Sequence, residues 1–511
     1  MVHPVRLCHA GIACFTMARR FCAVIGLSKC RTGARGYRRR TEMFLALVGH
    51  LIEISKAIRV LRRLPSGFVR AKNLVWGSKM AVVTALVIGA GQRGRNYACY
   101  ALDRPDGLKV VAASDVRESA REYMAKTFHI PANMIFSGWE DAVAGGKLAD
   151  CAIVTTPDCE HKGPAVACAN LGYHILLEKP MATSLEDCIE IREACRRNKV
   201  MLAVCHILRY DPPIALMKEV LDSGEIGEIV NVEQTEPVGF YHFAHSFVRG
   251  NWRKEEESSF TLLTKCCHDV DLILHIMEGK TCTKVSSFGS LHHFNNVYAY
   301  ACGPENFGSV GDELGKSSKG TWIGIYLEPC NGTPVWPWSV VCDVEDLPGK
   351  EYKTKLLERI QDGPYGRCVY ECDNDVCDNQ TVMFEFDDGS TAALTMVAFT
   401  ERICERLIRI RGSKGEVTYS GGSEVRVFDF LSRMTTTLKP SRQESSESSR
   451  RRYGHGEADY FTIDSFVKAV QRGDPSLILT GVDASLRSHL LTFKAEESRV
   501  RGCTIKDPER L

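Results

Sequence analysis

The glycine-rich run Gly89-Ala90-Gly91-Gln92-Arg93-Gly94 is the clearest chemical signal in the sequence. It directly follows an apolar stretch and directly opens a helical one, which is the context that a dinucleotide-binding turn requires. The first glycine permits a tight turn, the second lets the main chain approach a pyrophosphate, and the third allows close helix–strand packing. The N–H groups at the start of the helix favour an anion. Cofactor-binding positions are therefore predicted at Gly89, Gly91, Gln92, Arg93 and Gly94.

An acidic residue, Asp115, lies at the end of the second predicted strand. An acid in that position binds the ribose hydroxyls of the adenosine and disfavours a 2′-phosphate, so the sequence favours NAD over NADP. Arg117 lies close enough to leave NADP open. The alternative to a cofactor site is a glycine-rich turn that binds nothing.

Two polar motifs follow later predicted strands, one around Thr156 and one around Lys179. Because ligands bind at the carboxyl edge of an open parallel sheet, both motifs should face the cofactor. The residues expected to contact it there are Thr156, Pro157, His161, Glu178 and Lys179.

A lysine and a histidine could carry acid–base chemistry. Lys179 should project from the sheet edge into the crevice, with a surface lysine in a loop as the alternative. His268 lies on a predicted helix, Leu262–Met277, beside Asp269 and Asp271; a satisfied core histidine is its alternative. A histidine titrates near neutrality and can accept a hydroxyl proton, whereas an ammonium group can stabilise a developing alkoxide.

Alternating strands and helices must position these residues. Apolar runs of strand length separated by helices predict a parallel sheet covered on both faces, which is a doubly wound α/β Rossmann domain over residues 80–206. Strand-like pieces separated by turns then predict an α+β domain with a large, mostly antiparallel sheet over residues 207–500. A tail, residues 501–511, follows. Residues 295–335 resist assignment.

The first 79 residues differ in charge from the rest of the chain. They contain 12 Arg and 4 Lys against two Glu, a net charge of +14, whereas the whole chain carries +2. The near-neutral total argues against a nucleic-acid-binding protein. We expect residues 1–79 to be an extension that is unfolded or not a real part of the protein; a mitochondrial targeting segment is the alternative.

No run of 18 or more uncharged apolar residues occurs, so no transmembrane helix is expected. The 22 Cys are scattered without a regular framework, which favours reduced thiols and a cytoplasmic location, or a mitochondrial one if residues 1–79 act as a targeting segment. The spacing of Cys368, Cys372 and Cys377 is weak evidence for a metal, and we expect none.

The glycine motif, the Glu-Lys-Pro motif and the helix bearing His-Asp-Val-Asp occur in this order over about residues 80–500. Together they resemble the Gfo/Idh/MocA family of NAD(P)-dependent oxidoreductases, which act mainly on sugars, inositols and related polyols. The resemblance implies a dehydrogenase acting on CH–OH groups of a small carbohydrate or polyol, with no nucleic acid and no membrane as partner. It also implies a homodimer or homotetramer, since the broad sheet is the family's usual oligomerisation surface. Residues 295–330 fit the family poorly.

The resemblance implies roles for individual residues as well. Lys179 matches the family's active-site lysine, and His268 matches its catalytic histidine. Many members carry an Asp four residues before that histidine, where this sequence has Thr264, so the second acid–base group is open. Substrate contacts are expected at Arg209, Tyr241, His242, His245, Trp252, Arg253 and Lys265.

Two other functions stay open at this point. One is an NAD-dependent glycoside hydrolase of the same family, which cleaves through transient oxidation and returns the hydride. The other is a non-catalytic dinucleotide-binding regulator. The presence of both Lys179 and His268 argues against the regulator, whereas Thr264 in place of an acid argues for it.

Overall fold

The computed structural model describes residues 81–297, 336–341, 349–441 and 457–510. Contacts divide the chain after Ser78, and all of these residues belong to the unit that begins at Lys79. The expectations for residues 1–79 and for most of residues 295–335 lie outside the described residues. None of the described helices is long and apolar enough to cross a membrane.

The first sheet has six parallel strands in the order β3-β2-β1-β4-β5-β6. The strands are β1 Val83–Ile88, β2 Leu108–Ser114, β3 Ile135–Phe136, β4 Cys151–Val154, β5 His174–Leu177 and β6 Leu202–Val204. The central strands are continuous apolar runs because both faces of the sheet are covered. The predicted doubly wound Rossmann domain is confirmed.

The strand order reverses between β1 and β4, which makes the carboxyl edge of these strands a crevice. The glycine motif follows β1 at this edge. Lys179 follows β5 at the same edge, and His206 follows β6. The topology therefore brings residues that are far apart in sequence to one side of the sheet.

The second sheet has nine strands in the order β14-β13-β12-β11-β7-β10-β9-β8-β15. The strands are β7 Ile229–Pro237, β8 Cys282–Ser290, β9 Asn379–Phe386, β10 Thr391–Val397, β11 Leu407–Gly412, β12 Gly415–Ser420, β13 Val425–Asp429, β14 Thr435–Leu438 and β15 Ile505–Lys506. Apart from the parallel pair β7–β10, their pairings are antiparallel. Buried and less buried residues alternate along β9 and β10, because one face carries the core. The predicted large, mostly antiparallel sheet is confirmed.

Helices cover both sheets. Those in the described residues are α1 Gln92–Ala98, α2 Tyr100–Asp103, α3 Glu118–Phe128, α4 Trp139–Ala144, α5 Lys162–Asn170, α6 Leu185–Asn198, α7 Pro212–Asp222, α8 Phe240–Phe243, α9 Thr261–Thr264, α10 Cys267–Ile276, α11 Trp338–Val341, α12 Gly349–Asp362, α13 Ala458–Arg472 and α14 Val482–Arg501.

Segments late in the chain pack on both sheets. Helix α13 contributes Ile463 and Phe466 to the core of the Rossmann sheet. Strand β15 pairs with β8, and Glu509 accepts hydrogen bonds from Arg487. The amphipathic pattern of a helix predicts that one of its faces is buried, but it does not show which sheet that face covers.

Candidate functional site

The three glycines of the loop after β1 have different surroundings. A Cβ on Gly89, whose φ is +88°, would lie 2.6 Å from the Thr155 carbonyl oxygen, and a Cβ on Gly94 would collide with the Gly89 carbonyl. A Cβ on Gly91 would meet only the end of the Arg117 side chain, at 3.4 Å. Gly89 and Gly94 are thus required by the protein's own packing, whereas the space beside Gly91 suits a bound group.

Asp115 organises the loop from the end of β2. Its Oδ2 accepts a 2.7 Å hydrogen bond from the Ala90 N–H, and its Oδ1 accepts from the Arg117 N–H at 2.9 Å and from Nε of Arg117 at 3.1 Å. Burial raises the pKa of Asp115, but the hydrogen bonds from Arg117 and Ala90 outweigh it and hold the pKa below its usual value. Asp115 is therefore a carboxylate at neutral pH, with a guanidinium beside it.

The partly buried side chain of Arg93 has structural partners. Its Nε lies 2.6 Å from Glu178 Oε1, and its Nη2 lies 2.7 Å from Asp459 Oδ1 on α13. Asp459 is buried, and Glu178 is nearly so. Among the described residues, Arg93 thus ties the glycine loop to the Lys179 loop and to α13.

Replacing Arg93 with Met should destabilise the fold by about 3–5 kcal/mol, because it leaves two buried carboxylates without their cation. Chemical denaturation at neutral pH measures the effect. Arg196→Met is the matched control, since Arg196 pairs with the exposed Asp483 and the substitution should cost at most about 1 kcal/mol. If both variants lost the same free energy of unfolding, the buried ion pairs of Arg93 would contribute no more to stability than an exposed pair.

Lys179 reaches from the edge of the Rossmann sheet to the second domain. Its Nζ donates a 3.0 Å hydrogen bond to the carbonyl oxygen of Thr264, at the end of α9. The same Nζ lies 5.7 Å from the centre of the Trp252 ring. The Trp252 indole N–H in turn donates to Asp158 Oδ2 at 2.7 Å, in the loop after β4. Three separate segments therefore converge around the ammonium group.

The predicted helix Leu262–Met277 is two helices, α9 and α10, separated by a turn at residues 265–266. The turn places the Thr264 carbonyl where Lys179 can bond to it. His268 lies in the first turn of α10 and is 9% exposed. Lys179 thus bonds to the helix end that directly precedes the His268 helix.

His161 holds the crevice loops together. It is fully buried, and its ring nitrogens lie 2.6 Å from the Pro180 carbonyl oxygen and 3.0 Å from the Thr156 carbonyl oxygen. A neutral imidazole can donate to one of these at a time. His161 thus fixes the Thr156 loop against the Lys179 loop.

Two family models match this chain. Residues 83–206 match the model described as the oxidoreductase family, NAD-binding Rossmann fold, and residues 214–309 match the GFO/IDH/MocA C-terminal domain. The chain belongs to the Gfo/Idh/MocA oxidoreductase family.

Curated relatives agree with this assignment. A 2,7-anhydro-N-acetylneuraminate hydratase of Escherichia coli is 31% identical over 40% of this chain and 53% of its own length. An inositol 2-dehydrogenase of Saccharopolyspora erythraea is 26% identical over 38% of this chain and 54% of its own length. The chain spans about half the length of these curated relatives.

The fold of this family member also matches solved structures. An oxidoreductase from Agrobacterium radiobacter, solved with NAD+, L-tartaric acid and magnesium, superposes with a TM-score of 0.60 at 18% identity. The match covers 84% of this chain and all of the other. At this identity, the likeness supports the fold alone.

Two of the expected substrate contacts in this Gfo/Idh/MocA chain have other partners. The guanidinium of Arg209 is buried and paired with Asp271, with Nε–Oδ2 at 2.6 Å. Arg253 pairs with Glu257 and Asp373. We therefore reassign Arg209 and Arg253 to structural ion pairs, because their charges are already neutralised by carboxylates of the chain.

The acids next to His268 are structural as well. Asp271 binds Arg209, while Asp269 accepts hydrogen bonds from Gln234 and from Arg406. Lys265 is mostly buried, with its Nζ 3.4 Å from Glu236 Oε1 and 3.0 Å from the sulfur of Cys404. The charged residues near His268 therefore hold α10 in place through ion pairs.

Aromatic residues gather beside the crevice on the second domain. Trp336 lies 6.2 Å from Tyr241, 4.7 Å from His242 and 5.3 Å from His245, measured between ring centres. Sequence reasoning did not select Trp336, nor Asp158, Asp459 and His206. Asp158 lies within the motif around Thr156, whereas nothing in the sequence marks Asp459 as a partner of Arg93.

The thiol prediction holds for most of the described cysteines, which are free. It is wrong at Cys368, which is disulfide-bonded. The described residues contain no group of three or more His, Cys, Asp or Glu side chains that could hold a metal ion.

Buried histidines make the fold sensitive to acid. Burial lowers the pKa of His489 to about 3, with His206 adding to the effect, and burial lowers the pKa of His275 to about 4. Unfolded histidines bind protons below about pH 6.5. Because the unfolded state then binds more protons than the folded one, these groups make stability fall as the pH drops below about 6.5.

His489→Gln should remove about one proton from the difference in proton uptake between the unfolded and folded states. The slope of the unfolding free energy against pH should therefore fall by ~1.4 kcal/mol per pH unit between pH 6 and pH 5. Denaturant titrations at several pH values measure this slope. An unaltered slope in His489→Gln would show that this histidine titrates normally in the fold.

Proposed function

We propose that this protein is an NAD-dependent dehydrogenase that moves a hydride between the nicotinamide and a secondary hydroxyl of a sugar, inositol or related polyol. The observation that supports it best is the contact between Lys179 and the Thr264 carbonyl. It joins an ammonium group at the cofactor edge of one domain to the helix break that presents His268 from the other. A cleft between domains with convergent polar groups is where such ligands bind.

The residues present suit a bound dinucleotide. The free space beside Gly91 and the N–H groups that begin α1 would receive the pyrophosphate. The Asp115 carboxylate would accept the ribose hydroxyls, and its charge favours NAD. The dinucleotide supplies the hydride acceptor. Arg117 beside Asp115 could receive a 2′-phosphate, so Arg117→Ala should weaken NADP binding more than NAD binding in calorimetry.

The chain's own groups move and stabilise the proton. Lys179, as an ammonium, donates to the reacting hydroxyl oxygen and stabilises negative charge that develops there. His268 accepts the hydroxyl proton. Trp252 places an aromatic wall beside the ammonium group and is anchored by Asp158, which limits the water around the reacting oxygen. We place Tyr241, His245 and Trp252 on the substrate side of the crevice, whereas Lys265 stays paired with the buried Glu236.

A panel of polyols and sugars tests the proposal. The protein is incubated with NAD or NADP and each compound, the absorbance of the reduced nicotinamide is followed, and the products are identified. Stoichiometric NADH with a keto product is expected for at least one cyclitol or sugar, faster with NAD than with NADP. Binding of NAD without reduction on any compound of the panel, and without any product, would support the regulator instead.

A redox-neutral reaction is the second candidate, because the relative from Escherichia coli carries the name of a hydratase. In that case the hydride taken from the substrate returns to it, so product forms with no net NADH. The same panel separates the two functions, since only the dehydrogenase consumes NAD in proportion to product.

A further inference from the structure

His206 is a buried imidazole whose ring nitrogens have no hydrogen-bond partner among the described residues. It follows β6 at the carboxyl edge of the Rossmann sheet and has no exposed surface. Leaving such groups unsatisfied costs free energy, so a buried side chain of this kind calls for a hydrogen-bond partner.

Two other histidine rings pack against His206. The His268 ring meets it edge-on, with ring centres 5.7 Å apart, and the His489 ring lies 5.4 Å away. Both ring nitrogens of His489 already have partners, since its Nδ1 bonds to the Ser485 carbonyl and its Nε2 accepts a hydrogen bond from the Met181 N–H. The polar neighbour to which His206 can still bond on these two sides is therefore His268.

Burial is the main reason why the His206 ring is neutral. Burial lowers the pKa of His206, and the cations Arg209 and Lys179 lower it further, against the opposing effect of Asp271 and Glu178. Asp271 is itself neutralised by Arg209. A neutral imidazole has one lone pair with which to accept a hydrogen bond.

Thr264 cannot serve His268 in this way. Its hydroxyl lies 3.4 Å from the Phe260 carbonyl and 3.5 Å from the Thr261 carbonyl, within its own helix. It also lacks a charge that could stabilise an imidazolium. The two acids next to His268 bind Arg406 and Arg209 instead.

We propose that His206 is a positioning residue for His268, which accepts a hydrogen bond from the His268 ring when that ring is protonated. The inference rests on the proposed function, in which the hydroxyl O–H bond breaks, its proton goes to His268 and the C–H electron pair goes to the nicotinamide. His206 keeps its own proton throughout. The bond stabilises the imidazolium and so strengthens His268 as a base.

Kinetics of His206→Phe test the pairing, because phenylalanine keeps a ring but removes both nitrogens. Turnover at neutral pH should fall about 10-fold or more. The acidic limb of the pH profile of kcat/KM should move about one pH unit lower, as expected for loss of a hydrogen bond to a charged group. The melting temperature should be unchanged or higher, because an unsatisfied buried polar group is removed. His206→Gln retains a donor and an acceptor, so its acidic limb should shift by no more than half as much as that of His206→Phe. An unmoved limb with a lower melting temperature would overturn the inference in favour of a purely structural role.

A second measurement on the full chain needs no substrate. Titration of ¹⁵N-histidine-labelled protein by NMR, with His268 assigned by its loss in His268→Gln, reports the pKa of His268 directly. That pKa should fall by about one unit in His206→Phe. If no polyol is oxidised but this shift occurs, the proposed function fails and the pairing stands. If a polyol is oxidised and neither the pH limb nor the NMR pKa moves, the pairing fails and the proposed function stands.

Discussion

Replacing Lys179 with Met is expected to lower kcat by about 10²–10⁴-fold on a substrate that the unaltered protein oxidises. Methionine keeps the apolar stem but removes the ammonium group that lies between the Thr264 carbonyl and the Trp252 ring. Without that donor, charge on the reacting oxygen has no cation beside it. Steady-state kinetics measures the loss, and calorimetry with NAD should show a much smaller change in cofactor affinity.

His268→Ala should lower kcat by a similar factor, because the proton acceptor is removed. Two controls separate chemistry from general damage. Lys162→Met, at an exposed lysine paired with Asp187 and Glu190, should leave turnover nearly unchanged. Thr264→Ala should cost far less than either loss, since its carbonyl and not its hydroxyl meets Lys179. Unchanged turnover in His268→Ala would transfer proton acceptance to another group.

Gly91→Val is expected to weaken NAD binding by about 100-fold or more, which corresponds to roughly 3 kcal/mol. Gly91 has φ −71° and ψ −168°, a conformation open to any residue. The Cβ that valine adds would meet only the flexible end of Arg117, and we expect the fold to lose less than about 1 kcal/mol. The side chain would instead occupy the space that the pyrophosphate needs. Calorimetry measures affinity, and thermal unfolding measures stability.

Gly94→Ala is the matched comparison within the same loop. Its Cβ would collide with the Gly89 carbonyl and lie 2.7 Å from the Thr155 hydroxyl oxygen. Overpacking of this kind should destabilise the fold by about 1–3 kcal/mol even without cofactor. A Gly91→Val protein that binds NAD normally would show that the loop after β1 does not hold the pyrophosphate.

Local patterns were enough to predict the fold class, and they place Lys179 at the sheet edge that the proposed function uses. Continuous apolar strands such as β1 and β5 predict a sheet covered on both faces, and alternating strands such as β9 and β10 predict one covered face. The glycine motif is local because turn, helix start and close packing all depend on neighbouring residues. Lys179 could be placed at the crevice because it directly follows a parallel strand.

Tertiary structure alone decided which charges and helices meet. Arg93 pairs with Asp459 and Arg209 with Asp271, across 366 and 62 residues of sequence, and a charged residue's sequence neighbours do not reveal so distant a partner. The same holds for α13 in the Rossmann core, and for the contact of His206 with His268. Periodicity states which face of an element is buried, whereas packing between distant elements determines what that face touches.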